Sequence, residues 1–112
     1  MSLTFIDTNA IPREHTAHGD FKEILNEKLA GAKNIITTLR WLDKGESLAI
    51  GDAKHNLYYF VEGGAKVTLA GKDYDVPKGG GIYLQPTETA SIAGIEGGVK
   101  VLQLAVPVIP KN

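Results

Sequence analysis

Glycine pairs and triplets cut the stretch at 56–86, NLYYFVEGGAKVTLAGKDYDVPKGGGIYLQP, into short apolar runs. Residues 58–61 (YYFV) are an aromatic and β-branched run that ends at Glu62-Gly63-Gly64. Residues 65–69 then alternate, with Val67 and Leu69 on one face and Lys66 and Thr68 on the other. Ala70-Gly71-Lys72 reads as a turn, after which Tyr74 and Val76 resume the apolar face. Pro77 and the glycines at 79–81 break the pattern before Ile82-Tyr83-Leu84. Short strands closed by glycines at this spacing predict an all-β sandwich or barrel whose antiparallel strands are separated at 63–64, 70–71, 79–81 and 97–98.

The rest of the chain reads the same way. Residues 3–6 form a short first strand, and residues 13–19 (REHTAHG) are polar and turn-like. Residues 20–30 admit two readings. Phe21, Ile24, Leu25 and Leu29 fit a helical face capped by Asp20 and Glu23, or 21–25 is extended and a loop follows through Gly31. The extended reading is preferred. Residues 34–42 (NIITTLRWL) are a strand ended by Asp43-Lys44-Gly45-Glu46, and 89–95 and 99–106 are a last pair joined by Glu96-Gly97-Gly98. With 112 residues the chain has the length of one domain with a real core.

The quoted stretch resembles the core of a cupin, a small jelly-roll barrel. The first motif of that family ends in an aromatic-apolar-Glu-Gly corner, matched by residues 59–63, and its second opens on Gly-Asp, a short strand and a proline, matched by Gly80, Gly81, residues 82–85 and Pro86. The resemblance implies an all-β, cupin-type double-stranded β-helix (jelly-roll) barrel as a single domain over 1–112. In it, 1–34 form an N-terminal strand and loop region and 35–106 the barrel core. It also implies a homodimer, since small cupins pair through sheet edges or exchanged N-terminal strands.

A typical cupin holds a metal on two histidines and a glutamate of motif one and a histidine of motif two. Counted onto this chain, those positions fall near Ile50 and Asp52, on Asn56 and on Ser91. Asparagine and serine are poor transition-metal ligands, so the resemblance here implies a barrel with no metal and no other cofactor. The same geometry turns Asp52, Asn56 and Ser91 inward, as a polar pocket or as groups that satisfy loops and turns. Tyr58 shares the face of Asn56 by alternation, and Gln103 stands alone among Val101, Leu102, Leu104 and Ala105. Asn56, Tyr58, Ser91 and Gln103 are therefore the substrate-binding candidates.

His55 and Asp52 are the catalytic candidates, an imidazole that titrates near neutrality and a carboxylate to orient it. Strict alternation points His55 away from Asn56; a bulge would turn it in. His15 and His18 have metal-ligand spacing only on a helix, and they lie in a segment read as a solvated loop. Arg40 lies among Leu39, Trp41 and Leu42; turned inward, it would take a carboxylate or phosphate by bidentate bonds.

The function these readings favour is metal-independent proton transfer on a small polar metabolite, of isomerase, lyase or dehydratase type. Non-catalytic binding or sensing of a small molecule, and a metal relocated to His15, His18 or His55, are the alternatives. With 12 Lys and Arg against 13 Asp and Glu, the chain has no electrostatic footprint for nucleic acid or an anionic membrane. The absence of cysteine excludes disulfides and thiolate chemistry. The start, MSLTFIDTNAIPREH, lacks the pattern of a signal peptide, and the 101–109 run is too short to span a bilayer, so the expected location is cytoplasmic.

Overall fold

A computed structural model describes residues 7–25 and 35–107. After a 3-10 turn at Thr8–Ala10 come β1 (Glu14–Thr16), β2 (Gly19–Leu25), β3 (Ile36–Leu42), β4 (Ser47–Ile50) and β5 (His55–Glu62). These are followed by β6 (Ala65–Leu69), β7 (Lys72–Val76), β8 (Gly81–Leu84), β9 (Ala90–Gly94) and β10 (Val99–Val106). One sheet has the order β1-β2-β3-β10-β5-β8 and the other β4-β9-β6-β7, with every pairing antiparallel. From β3 onward each connection crosses to the opposite sheet, except the β6–β7 hairpin at Ala70-Gly71. This winding is the jelly roll that the family resemblance implies, within the sandwich or barrel that the glycine punctuation predicts.

Alternation sets which side chains meet between the sheets. Along β5 the buried residues are Asn56, Tyr58 and Phe60, while Leu57 and Tyr59 face out. Leu42, Val99 and Val101 join them from the same sheet, and Ile50, Val67 and Ile92 close the core from the other. Each such aliphatic or aromatic side chain contributes about 1.5–3 kcal/mol on burial. The corners carry this core because backbone packs on backbone there: a Cβ on Gly63 would stand 2.1 Å from the Gly98 carbonyl oxygen. The β5–β6 and β9–β10 crossings therefore lock together.

Two strands have no counterpart in the expectations above. The segment at 13–19 is not a plain loop, because β1 pairs with β2 through Glu14–Phe21, His15–Asp20 and Thr16–Gly19. Its turn is closed by the Thr16 hydroxyl, which donates to the Gly19 carbonyl at 2.7 Å and accepts from the His18 N–H at 3.1 Å. β4 pairs with β9 and places Leu48 and Ile50 on the core side. Residues 20–25 take the extended reading. The expected strand at 3–6, and residues 26–34, lie outside the described residues. No helix among the described residues is long and apolar enough to cross a membrane.

Candidate functional site

Cross-strand register assembles a polar cluster inside the barrel. Gln103 of β10 lies opposite Tyr58 of β5 on one side and Thr38 of β3 on the other. Residues directly opposite in an antiparallel pair share a face, so all three point inward. Asn56 lies one row along, opposite Ala105, and Arg40 one row the other way, opposite Val101. Asp52 precedes β5, at an exposed rim.

These side chains form one directional hydrogen-bond chain. The Arg40 Nε–H donates to Gln103 Oε1 at 2.7 Å, and Gln103 Nε2 donates to Asn56 Oδ1 at 3.1 Å and to the Tyr58 hydroxyl at 3.2 Å. Asn56 Nδ2 then donates to Asp52 Oδ1 at 2.9 Å and to the Lys54 carbonyl at 3.3 Å. The chain runs from a cation to an anion, and each amide accepts on the cation side and donates on the anion side. Flipping either amide would set donor against donor or acceptor against acceptor, so the two end charges fix both orientations. No buried side-chain nitrogen or oxygen among the described residues lacks a partner.

The electrostatics follow from this geometry. The Asp52 carboxyl is held below its ordinary range first by the Lys54 backbone N–H, then by the Asn56 amide and the Lys54 charge, against some burial. Burial pushes the Tyr58 phenol up, opposed by the Gly51 backbone and the Arg40 charge. Burial also pushes Arg40 down, opposed by Tyr58 and Glu23. At neutral pH the interior therefore presents an ionised carboxylate at its rim, a neutral phenol and a guanidinium.

Of the expected site residues, Asp52, Asn56, Tyr58 and Gln103 come together, and two do not join them. His55 faces outward, opposite Val106, with Nδ1 hydrogen-bonded to the Tyr83 hydroxyl at 2.7 Å and its ring stacked on that of Tyr83 at 6.1 Å. No bulge turns it in, since the β5–β10 register runs unbroken from Val101 to Val106. Ser91 also points away from the interior, with Ala49 and Thr68 as cross-strand partners, and Ile92 takes the buried position. Arg40, whose direction the sequence left open, joins this hydrogen-bond cluster. Its signal was the period of two that it shares with buried Thr38 and Leu42.

The donors at the positions where the fold family carries its metal do not fit one. Ile50 is apolar, Ser91 faces away, the Asn56 oxygen already accepts from Gln103, and Asp52 is the only carboxylate of the four. Among the described residues no group of three His, Cys, Asp or Glu is placed to hold a metal ion. His15 and His18 have other partners. His15 Nδ1 pairs with Asp20 Oδ1 at 2.5 Å, Arg13 pairs with the second Asp20 oxygen at 2.9 Å, and His18 Nδ1 meets the Ser47 carbonyl at 3.0 Å.

The hydrogen bond and charge of Asp20 raise the pKa of His15, and His15 lowers that of Asp20. The ion pair is present below the raised His15 value and is lost as pH rises through it. It is lost again in acid, as pH falls through the lowered Asp20 value. In Asp20→Asn, an NMR titration of the His15 ring should show its midpoint falling back toward 6.5. An unchanged midpoint would show that Asp20 is not the cause.

No family model matches the chain, and no curated protein matches it in sequence. Its fold is similar to several solved structures. The polyketide cyclase RemF from Streptomyces resistomycificus aligns with a TM-score of 0.82 at 15% identity, over 98% of this chain and 83% of that one. KdgF from Halomonas sp. aligns at 0.80 and 14%, over 96% of each chain. A cupin superfamily protein from Desulfitobacterium hafniense aligns at 0.67 and 19%, over 79% of this chain and 76% of its own.

Proposed function

Since the chain has the cupin fold, with an unbroken polar chain where that fold family carries its metal, we propose that it binds a small polar metabolite in the barrel interior without a resident metal. The observation that carries this reading is the Asp52–Asn56–Gln103–Tyr58 cluster, with Asn56 and Tyr58 almost fully buried. Burying amides and a phenol costs about 1–3 kcal/mol each unless they are hydrogen-bonded. A site lined in this way recognises hydroxyl, carbonyl and amide groups. Proton transfer of the isomerase or lyase kind would fall to Asp52, because His55 faces the other way. A carboxylate held fully ionised at neutral pH is a weak general base, so recognition of a ligand is the better-supported role.

The test is a thermal-shift screen of small hydroxy acids, sugars and amides on wild type and Asn56→Leu. Binders should stabilise wild type, by about 2.7 kcal/mol at a hundredfold excess over Kd, and leave Asn56→Leu unshifted. Asn56→Leu should itself lose about 1–3 kcal/mol of stability, because Gln103 loses an acceptor. Equal stabilisation of both proteins by every binder would place the site elsewhere. About one zinc, iron, manganese or nickel ion per chain retained after dialysis would overturn the metal-free reading.

A further inference from the structure

β7 and β8 are the last strands of their sheets, and a cavity of about 220 Å3 lies between them. We propose that this cavity is a second binding site, which takes a small neutral ring molecule, aromatic or alicyclic. Register decides its walls. Val67 lies opposite Tyr74, Ile82 opposite Tyr58, Leu84 opposite Asn56 and Ala90 opposite Ile50, so all of them point between the sheets. Val67, Leu69 and Ala90 wall the cavity from one sheet, Ile82 and Leu84 from the other. Tyr74 shares the face of Val67 but is 47% exposed, so its ring stands at the mouth and not in the core. The site is separate from the polar chain. Leu84 and Ile82 form the wall on that side, and Asn56 and Tyr58 lie one strand behind them.

The walls decide the ligand. Protein interiors are packed with few voids larger than a water molecule, so a space of this size is an exception. Water entering it needs several polar partners, which aliphatic walls do not supply. An apolar cavity of roughly 150 Å3 is enough to take a benzene ring, so this one accommodates a single ring with a short substituent. No charged side chain among the described residues lines it, and Lys72, opposite Leu69, is exposed and stays outside. A charged group taken in would lose hydration without gaining a counter-ion, which selects a neutral ligand.

A strand from another molecule is the poorer occupant. Lys72, Asp73 and Asp75 give β7 the charges that keep an exposed edge from pairing with a second chain. The cavity also has room for one ring and not for a run of side chains.

NMR titration of wild type with toluene, cyclohexanol, benzoate and glycerol tests this. Toluene and cyclohexanol should shift the methyl resonances of Leu69, Ile82 and Leu84 saturably. Those of Leu42 and Val101, which belong to the core but not to the cavity, should stay in place. Benzoate and glycerol should bind about tenfold or more weakly. Ala90→Leu, which extends a side chain into the cavity, should weaken toluene binding about tenfold or more without lowering the thermal midpoint. If that variant does not fold, the wild-type titration decides alone. Cavity methyls unmoved at the solubility limit of toluene, benzoate binding as tightly as toluene, or undiminished toluene binding in folded Ala90→Leu would each overturn the proposal. Shifts confined to the Asn56 and Gln103 side-chain amides would overturn it too, by placing the ring in the polar interior. The interior polar site shares none of the cavity residues and stands or falls by its own screen.

Discussion

Phe60→Ala should lower the stability of the fold by about 3–5 kcal/mol, a large part of the roughly 5–15 kcal/mol that holds a domain together. Phe60 has no exposed surface, lies opposite Val101 and belongs to the cluster of buried residues that joins the two sheets. Truncation removes the transfer energy of the ring and leaves a cavity that walls from two sheets cannot both close. The neighbouring Tyr59→Ala is the control, because Tyr59 lies on the outer face and is 44% exposed. Its loss should stay below about 1 kcal/mol. Urea unfolding, followed by the fluorescence of Trp41, would compare them. Similar midpoints for the two variants would mean that the core does not lie between the sheets as described.

The same alternation made much of the interior polar cluster legible. A period of two over residues 56–60 is enough to put Asn56, Tyr58 and Phe60 on one face, and an isolated glutamine in an apolar run is enough to single out Gln103. Ser91 failed because its direction was counted from Pro86 across a loop, and one residue of slip reverses a side chain. His55 failed for the opposite reason. Alternation placed it outside, and only a bulge that is not there would have brought it in. β1 was hidden because an edge strand with both faces in water has no apolar period to read. The Arg40 end of the polar chain was the hardest to see. Its bond to Gln103 depends on the pairing of strands far apart in sequence, whereas Asp52 bonds Asn56 only four residues along the chain.

Gly51→Ala should also be strongly destabilising, and it couples stability to the interior polar chain. Gly51 has a φ of +100°, and a Cβ there would stand 2.1 Å from the Glu88 carbonyl oxygen and 2.9 Å from the Thr89 Cα. The backbone strain costs about 1–2 kcal/mol and the steric conflict about 1–3 kcal/mol more, because both obstacles are main chain and cannot swing aside. Relief requires residues 51–52 to move away from 87–89, where the Asp52 carbonyl accepts the Thr87 N–H at 2.8 Å. Asp52 would then shift against Asn56, and the backbone that favours the ionised Tyr58 phenol would shift with it. Gly71→Ala isolates the conformational part, since Gly71 has a φ of +78° with nothing within 4 Å of its Cβ position. Both substitutions restrict the unfolded chain alike, so that contribution cancels between them. Denaturation should find Gly51→Ala less stable than Gly71→Ala by about 1–3 kcal/mol. The Asn56 and Gln103 side-chain amide resonances should move in Gly51→Ala and stay in place in Gly71→Ala. Equal losses of stability, with those resonances unmoved in both variants, would detach Gly51 from the polar chain.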